Sequence, residues 1–207
     1  MKRYIYKQLL AWKNEKEHKP LILNGARQVG KTYILREFGR NEYKRMAFFS
    51  LDRDQKALEI FNKGGRATDM LMALSAICHE DITPHDTLVV LDEIQNCPKA
   101  LEALKFFCEE TPEIDIVVAG SLLGLSIHSG VSYPVGKVEE LHLYPMTFLE
   151  FLEAMGKTQL VNLLENKNWT VINMLETELI SSLRQYYYVG GMPAAVLAHI
   201  EKKGWKE

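Results

Sequence analysis

The chain has 207 residues, 47% of them hydrophobic, with 25 Lys and Arg against 27 Asp and Glu and a formal charge of −2. That length can bury a sizeable core in one domain, or in one domain with an appendage, and the balanced charge gives no electrostatic footprint for nucleic acid. No stretch approaches the ~18 apolar residues of a membrane span. Cys78, Cys97 and Cys108 lack C-x-x-C spacing and fit free thiols in a reducing cytosol.

The start, Met1-Lys2-Arg3-Tyr4-Ile5-Tyr6, has no leader pattern, so a cytoplasmic location is expected. Residues 3–17 predict an amphipathic helix through Ile5, Leu9, Leu10 and Trp12, closed by Pro20. Leu21-Ile22-Leu23 predicts a buried strand, and Tyr33 to Phe38 a helix. Between them lies Gly25-Ala26-Arg27-Gln28-Val29-Gly30-Lys31-Thr32, which fits G-x-x-x-x-G-K-[ST], the phosphate-binding loop. Gly25 and Gly30 let backbone N–H groups turn inward around an anion, above a helix N-terminus. Lys31 is expected to reach the β- and γ-phosphates, and Thr32 to hold Mg²⁺. Gly25 to Thr32, with Tyr33 after them, are the expected nucleotide-binding residues. An ordinary glycine turn is the competing reading, and the strand–loop–helix setting argues against it.

Arg45 to Leu51 predicts a second strand, followed by helices over 55–62 and through Met70, Leu71, Leu74 and Ile77, and a turn at Thr83 to Asp86. His79, Glu80 and His85 read as a solvated loop. Leu88-Val89-Val90-Leu91-Asp92-Glu93 is a continuous apolar run ending in two acids, as in a parallel strand buried on both faces. Carboxylates there are costly to bury without a metal or partner. This is the Walker B pattern: Asp92 would serve the Mg²⁺ shell, and Glu93 would orient and polarise the attacking water. A helix follows over 98–110, then a strand over 114–121 ending at Ser121. Ser121 is a candidate γ-phosphate sensor or a helix N-cap for Leu122 to Ile127, and the two roles are compatible.

After a loop at 129–136, Glu139 to Tyr144 alternates as a last strand stopped by Pro145. From Thr147 the pattern is helical: Phe148 to Leu152, about 158–166, about 171–187, and Ala194 to Glu201, with Gly190-Gly191 as a stop. The expected fold is therefore an α/β P-loop NTPase of the additional-strand class. It has a five-stranded parallel sheet in the order 5-1-4-3-2 over residues 1–146, and a small helical lid over 147–207. Ligands in such sheets sit at the carboxyl ends of the strands, where Gly25 to Thr32, Asp92, Glu93 and Ser121 all fall.

A guanine-reading N/T-K-x-D is absent, as is an L-S-G-G-Q signature, which points to ATP and away from transporter ATPases. Glu93 beside Asp92 favours water as the nucleophile. A cation on the developing charge could be Arg27, Lys137, Arg184 on the lid, or an arginine from another subunit; a solvated helix position is the plainer reading of Arg184. Tyr186-Tyr187-Tyr188 reads as packing, with a stacking surface as the alternative.

Three stretches, Asn24 to Thr32, Leu91-Asp92-Glu93-Ile94-Gln95 and Ala119-Gly120-Ser121, occur in order with Glu139 to Leu152 and Tyr188-Val189-Gly190-Gly191-Met192-Pro193. Together they resemble a prokaryotic family of AAA-type ATPases, usually called AAA_14 and paired with a DUF4143 domain. The resemblance implies an ATP-binding, ATP-hydrolysing core that uses Mg²⁺, and a chain truncated before a C-terminal domain. Where the family shows Gly-Arg, this chain has Gly136-Lys137, which keeps the charge and loses the bidentate fork. The expected function is Mg-dependent ATP hydrolysis that powers or gates a protein partner, a homo-oligomer or the absent domain. The alternative is a nucleotide-dependent switch with negligible hydrolysis.

Overall fold

The computed structural model describes residues 1–121 and 134–204. They divide into two compact units, Tyr6–Leu143 and a second made of Met1–Ile5 with Tyr144–Glu207.

The first unit is built on β1 (Leu21–Gly25), β2 (Arg45–Ser50), β3 (Thr87–Asp92), β4 (Asp115–Gly120) and β5 (Glu139–Leu143). Every pairing is parallel, in the order β2-β3-β4-β1-β5, which is the expected 5-1-4-3-2 arrangement. Leu21 sits opposite Val117 and Glu139, and Leu88 opposite Met46 and Asp115. All six residues of β3 and of β4 are buried, as an apolar run covered on both faces requires. Strand β5 alternates between half-buried and exposed residues before Leu143, in keeping with its place at the sheet edge.

Around the sheet lie α1 (Ile5–Asn14), α2 (Lys31–Glu42), α3 (Gln55–Lys63), α4 (Ala67–Cys78) and α5 (Pro98–Glu110). Alternate strand residues Phe49, Val89, Leu91, Ile116 and Val118 share one core with Ala57, Phe61, Leu74, Leu104 and Phe107 from α3, α4 and α5. Ile34, Leu35 and Phe38 bury the inner face of α2, and the ring of Tyr6 on α1 meets Phe38 edge-on at 5.6 Å.

At the amino end of β4, Asp115 is buried and accepts from His18, whose Nε2 lies 2.8 Å away. The other ring nitrogen, Nδ1, lies 2.8 Å from Glu15 O. Both partners present acceptor oxygens, an arrangement that suits a doubly protonated ring with both N–H groups satisfied. The hydrogen bond to Asp115 raises its pKa above the usual 6.5 against the opposing effect of burial.

The second unit contains α6 (Phe148–Ala154), α7 (Thr158–Glu165), α8 (Trp169–Met174), α9 (Glu176–Val189) and α10 (Pro193–Gly204). Helix α6 opens on a capping box: Glu150 N donates to Thr147 Oγ1 at 3.2 Å and Thr147 N to Glu150 Oε2 at 2.8 Å. The other Glu150 oxygen accepts from Arg3 Nε at 3.1 Å and Tyr4 N at 2.7 Å. These bonds draw Met1–Ile5 into the helical unit, although the sequence pattern joins them to the sheet. Tyr186 donates its hydroxyl to Met146 O at 2.8 Å, and Met146 N donates to Gly191 O at 2.7 Å; these tie the Gly-Gly segment to the start of the unit.

The single helix expected over 171–187 is two helices. Asn168 caps α8 by accepting from Val171 N. Leu175 leaves helical geometry at φ −104° and ψ 15°, its N–H shared between Val171 O and Ile172 O. Glu176 and Glu178 then occupy the first turn of α9, where carboxylates suit a helix N-terminus.

Candidate functional site

The loop after β1 is shaped by close approach. A Cβ on Gly25 would lie 2.5 Å from Leu143 O in β5 and 3.1 Å from Val29 Cγ1, so only glycine fits. Val29 is fully buried and pins the loop to the core. Gln28 at φ 63° and Gly30 at φ 101° turn the backbone through the left-handed region, the conformation that makes successive N–H groups concave. Helix α2 then begins at Lys31 with no side-chain cap and no acidic residue in its first turn. Its N-terminal N–H groups thus remain available to an anion.

Lys31 is 8% exposed, and its Nζ donates to Gly25 O and Ala26 O, each at 2.9 Å. Burial pushes its pKa down, and the neighbouring charges of Glu93 and Asp92 push it up. Thr32 Oγ1 donates to Asp92 Oδ2 at 2.6 Å, joining the loop to the end of β3. Asp92 is 4% exposed; its second oxygen accepts from Glu93 N at 3.0 Å. Burial pushes the Asp92 carboxyl upward, opposed by these two hydrogen bonds.

The next residue, Glu93, takes a left-handed backbone at φ 56° and ψ 43° and leads into a single 3₁₀ turn, Ile94–Asn96. Gln95 on that turn donates through Nε2 to Glu93 Oε2, and its Oε1 accepts from Ser121 N at 3.3 Å.

Arg27, Lys31, Thr32, Tyr33, Asp52 and Glu93, with Gln28, Gly30, Gln95 and Asn96, line a cleft of about 570 Å³. The phosphate loop, Asp92 and Glu93 are thus brought together at the carboxyl ends of β1 and β3, the two strands that flank β4, with Ser121 linked through Gln95. The Ser121 helix-cap reading concerns residues 122–127, which lie outside the described residues. Lys137 pairs with Glu109 at 3.0 Å. Arg184 lies on α9 in the helical unit, where it lines a separate, larger cavity of about 790 Å³ with Glu176, Ile180, Tyr188 and His199; that cavity contains no phosphate-binding loop.

Among the cleft residues, Gln95 and Asp52 are given no role by the motif reading. Gln95 stands two positions past Glu93, and its amide meets β4 only because β3 and β4 are neighbours. Asp52 follows β2 and accepts from Ser50 Oγ at 2.5 Å; a lone aspartate after a strand is its sole sequence signal.

The donors present fit a magnesium nucleotide. A hydroxyl and a carboxylate, already 2.6 Å apart, are hard oxygen ligands of the type this ion takes, and Lys31 is held beside them on the loop that would wrap the phosphates.

The family model AAA_14, described as an AAA domain, matches residues 17–152. Among curated proteins no match to the chain is found. Two solved structures share the fold. A Walker-type ATPase of Pyrococcus abyssi superposes with a TM-score of 0.57 at 17% identity, covering 100% of this chain and 68% of the other. ORC from Drosophila, in a structure bound to DNA, gives 0.54 at 16% identity, covering 94% of this chain and 57% of the other. The chain belongs to the AAA_14 family of AAA domains.

Proposed function

We propose that this AAA-family chain binds Mg·ATP in the cleft between the phosphate loop and the end of β3, and hydrolyses it in the cytoplasm. The observation that carries the reading is the 2.6 Å hydrogen bond from Thr32 to Asp92, with Glu93 on the same cleft wall. Thr32 Oγ1 and Asp92 would hold the magnesium ion, which when bound neutralises charge on the β- and γ-phosphates. Lys31 would exchange its bonds to Gly25 O and Ala26 O for phosphate oxygens. Glu93 would orient the attacking water and accept its proton, and Ser121 would sense the γ-phosphate from the end of β4. Arg184 on the helical lid, or an arginine of a second subunit, would supply the remaining cation; Arg27 already lines the cleft. The missing guanine motif supports ATP over GTP. The nucleotide state would then drive or gate a protein partner, a second copy or a further domain.

Phosphate release from Mg·ATP tests this. Glu93→Gln should lower turnover by about 10²-fold or more, the usual contribution of a positioned base, while ATP still binds. Unchanged turnover in that variant overturns the role of Glu93. Tight nucleotide binding by a wild-type chain that releases no phosphate would favour the switch reading. A rate per subunit that rises with protein concentration would place the cation in a second copy.

A further inference from the structure

We propose that Gln95 is the positioning residue for Glu93: one side-chain amide ties the carboxylate at the end of β3 to the backbone at the end of β4. The inference rests on the hydrolysis reading for its consequence and on local geometry for its substance.

The chemistry of the two partners fixes the amide's orientation. A carboxylate can only accept, so it must face the NH₂ group; a backbone N–H can only donate, so it must face the oxygen. Gln95 meets both demands, donating to Glu93 Oε2 and accepting from Ser121 N at 3.3 Å. Its own backbone is held by its neighbours. Ile94 and Cys97 are buried at 0% and 1% exposure, and Asn96 N and Cys97 N close the turn onto Glu93 O and Ile94 O at 3.0 Å each. The Gln95 side chain therefore projects into the cleft from an anchored turn.

Glu93 needs such a restraint. Its left-handed backbone is a conformation that non-glycine residues keep only where the surroundings over-determine it. Its N–H is fixed on Asp92 Oδ1, which sets the main chain and leaves the side-chain torsions to Gln95. The bond occupies Oε2 and leaves Oε1 for the water. Ser121 directly follows β4, the strand paired to both β1 and β3, so a displacement there on binding the γ-phosphate would move the base through Gln95.

A double-mutant cycle on the full chain tests the assignment. Gln95→Leu should lower kcat about ten- to a hundredfold, as misplaced catalytic groups do, with the Kd for Mg·ATP within about twofold of wild type. In the Glu93→Gln background the same substitution should lower kcat no further, because a residue that acts only through Glu93 has nothing left to position. An unchanged kcat, or an equal loss in both backgrounds, overturns the proposal. A readout independent of turnover is the ¹⁵N side-chain amide resonance of Gln95 in the nucleotide-free protein. Glu93→Ala should shift it, and Gln95→Met should shift the Ser121 amide. Resonances that do not respond refute the bridge even if the chain is an active ATPase. A chain with no turnover but with both shifts refutes the hydrolysis reading and upholds the bridge.

Discussion

Replacing Asp92 by Asn should stabilise the nucleotide-free protein while abolishing its response to Mg·ATP. The Asp92 carboxylate is 4% exposed and accepts single hydrogen bonds from Thr32 Oγ1 at 2.6 Å and Glu93 N at 3.0 Å. Lys31 lies close enough to favour the charge but spends its ammonium on two carbonyls. Burial wins, and it pushes the carboxyl above its usual range. Asparagine keeps the shape and both contacts: its carbonyl accepts from Glu93 N, and its NH₂ donates to the Thr32 hydroxyl, which can accept. A carboxyl whose pKa is raised by burial is disfavoured in its charged form in the folded chain at neutral pH, so neutralising it with shape and hydrogen bonds kept should gain on the order of 1 kcal/mol, the usual size of a single-site effect. About 1 kcal/mol raises Tm by roughly 2–4 °C in a chain of this size. Wild type should gain about 2.7 kcal/mol at a hundredfold excess of Mg·ATP over Kd, and the variant none that depends on magnesium. Thermal melts with and without Mg·ATP measure both. A variant that melts below wild type without ligand, or that keeps the magnesium-dependent shift, refutes the reasoning; the combination expected is a site strained for function at the expense of the fold.

Two further predictions concern buried charge elsewhere. His18 has a raised pKa in the folded chain, so its stabilising effect is complete below the unfolded value of 6.5 and is lost as pH rises through the folded value; the urea midpoint should fall above about pH 6.5, and Asp115→Asn should flatten that slope. Glu150 is 4% exposed and satisfies Arg3, Tyr4 N and Thr147 N at once. Glu150→Ala should therefore cost about 3–5 kcal/mol, the penalty for stranding one member of a buried pair, seen as early loss of amide protection in α6, and Glu150→Gln should recover part of it.

The sheet was legible because each strand carries its own signal. Continuous apolar runs at Leu21–Leu23, Leu88–Leu91 and Ile114–Ala119 can only be buried on both faces, and the glycine loop names the strand before it. The site was legible for the same reason: Gly25 to Thr32, Asp92 and Glu93 are each attached to a strand end, and parallel strands bring their ends to one edge. What was not legible depends on partners far away in the chain. The break at Leu175 is invisible to an apolar period that continues through Ile172, Leu175 and Leu179; the carboxylates of Glu176 and Glu178 suit the new N-terminus that follows it. The amphipathic pattern read from residue 3 runs on into α1, and it is contacts more than 140 positions on, to Tyr144 O, Glu150 and Glu153, that draw Met1–Ile5 to the helical unit. Gln95 is the sharpest case. Its spacing from Glu93 says nothing until β4 is known to lie beside β3, for then a side chain 26 positions before Ser121 can reach its N–H. Local motifs thus disclose which groups stand at the phosphate edge, whereas the contacts that would hold those groups in working geometry belong to the strand order, and it is among such contacts that the control of this site is to be sought.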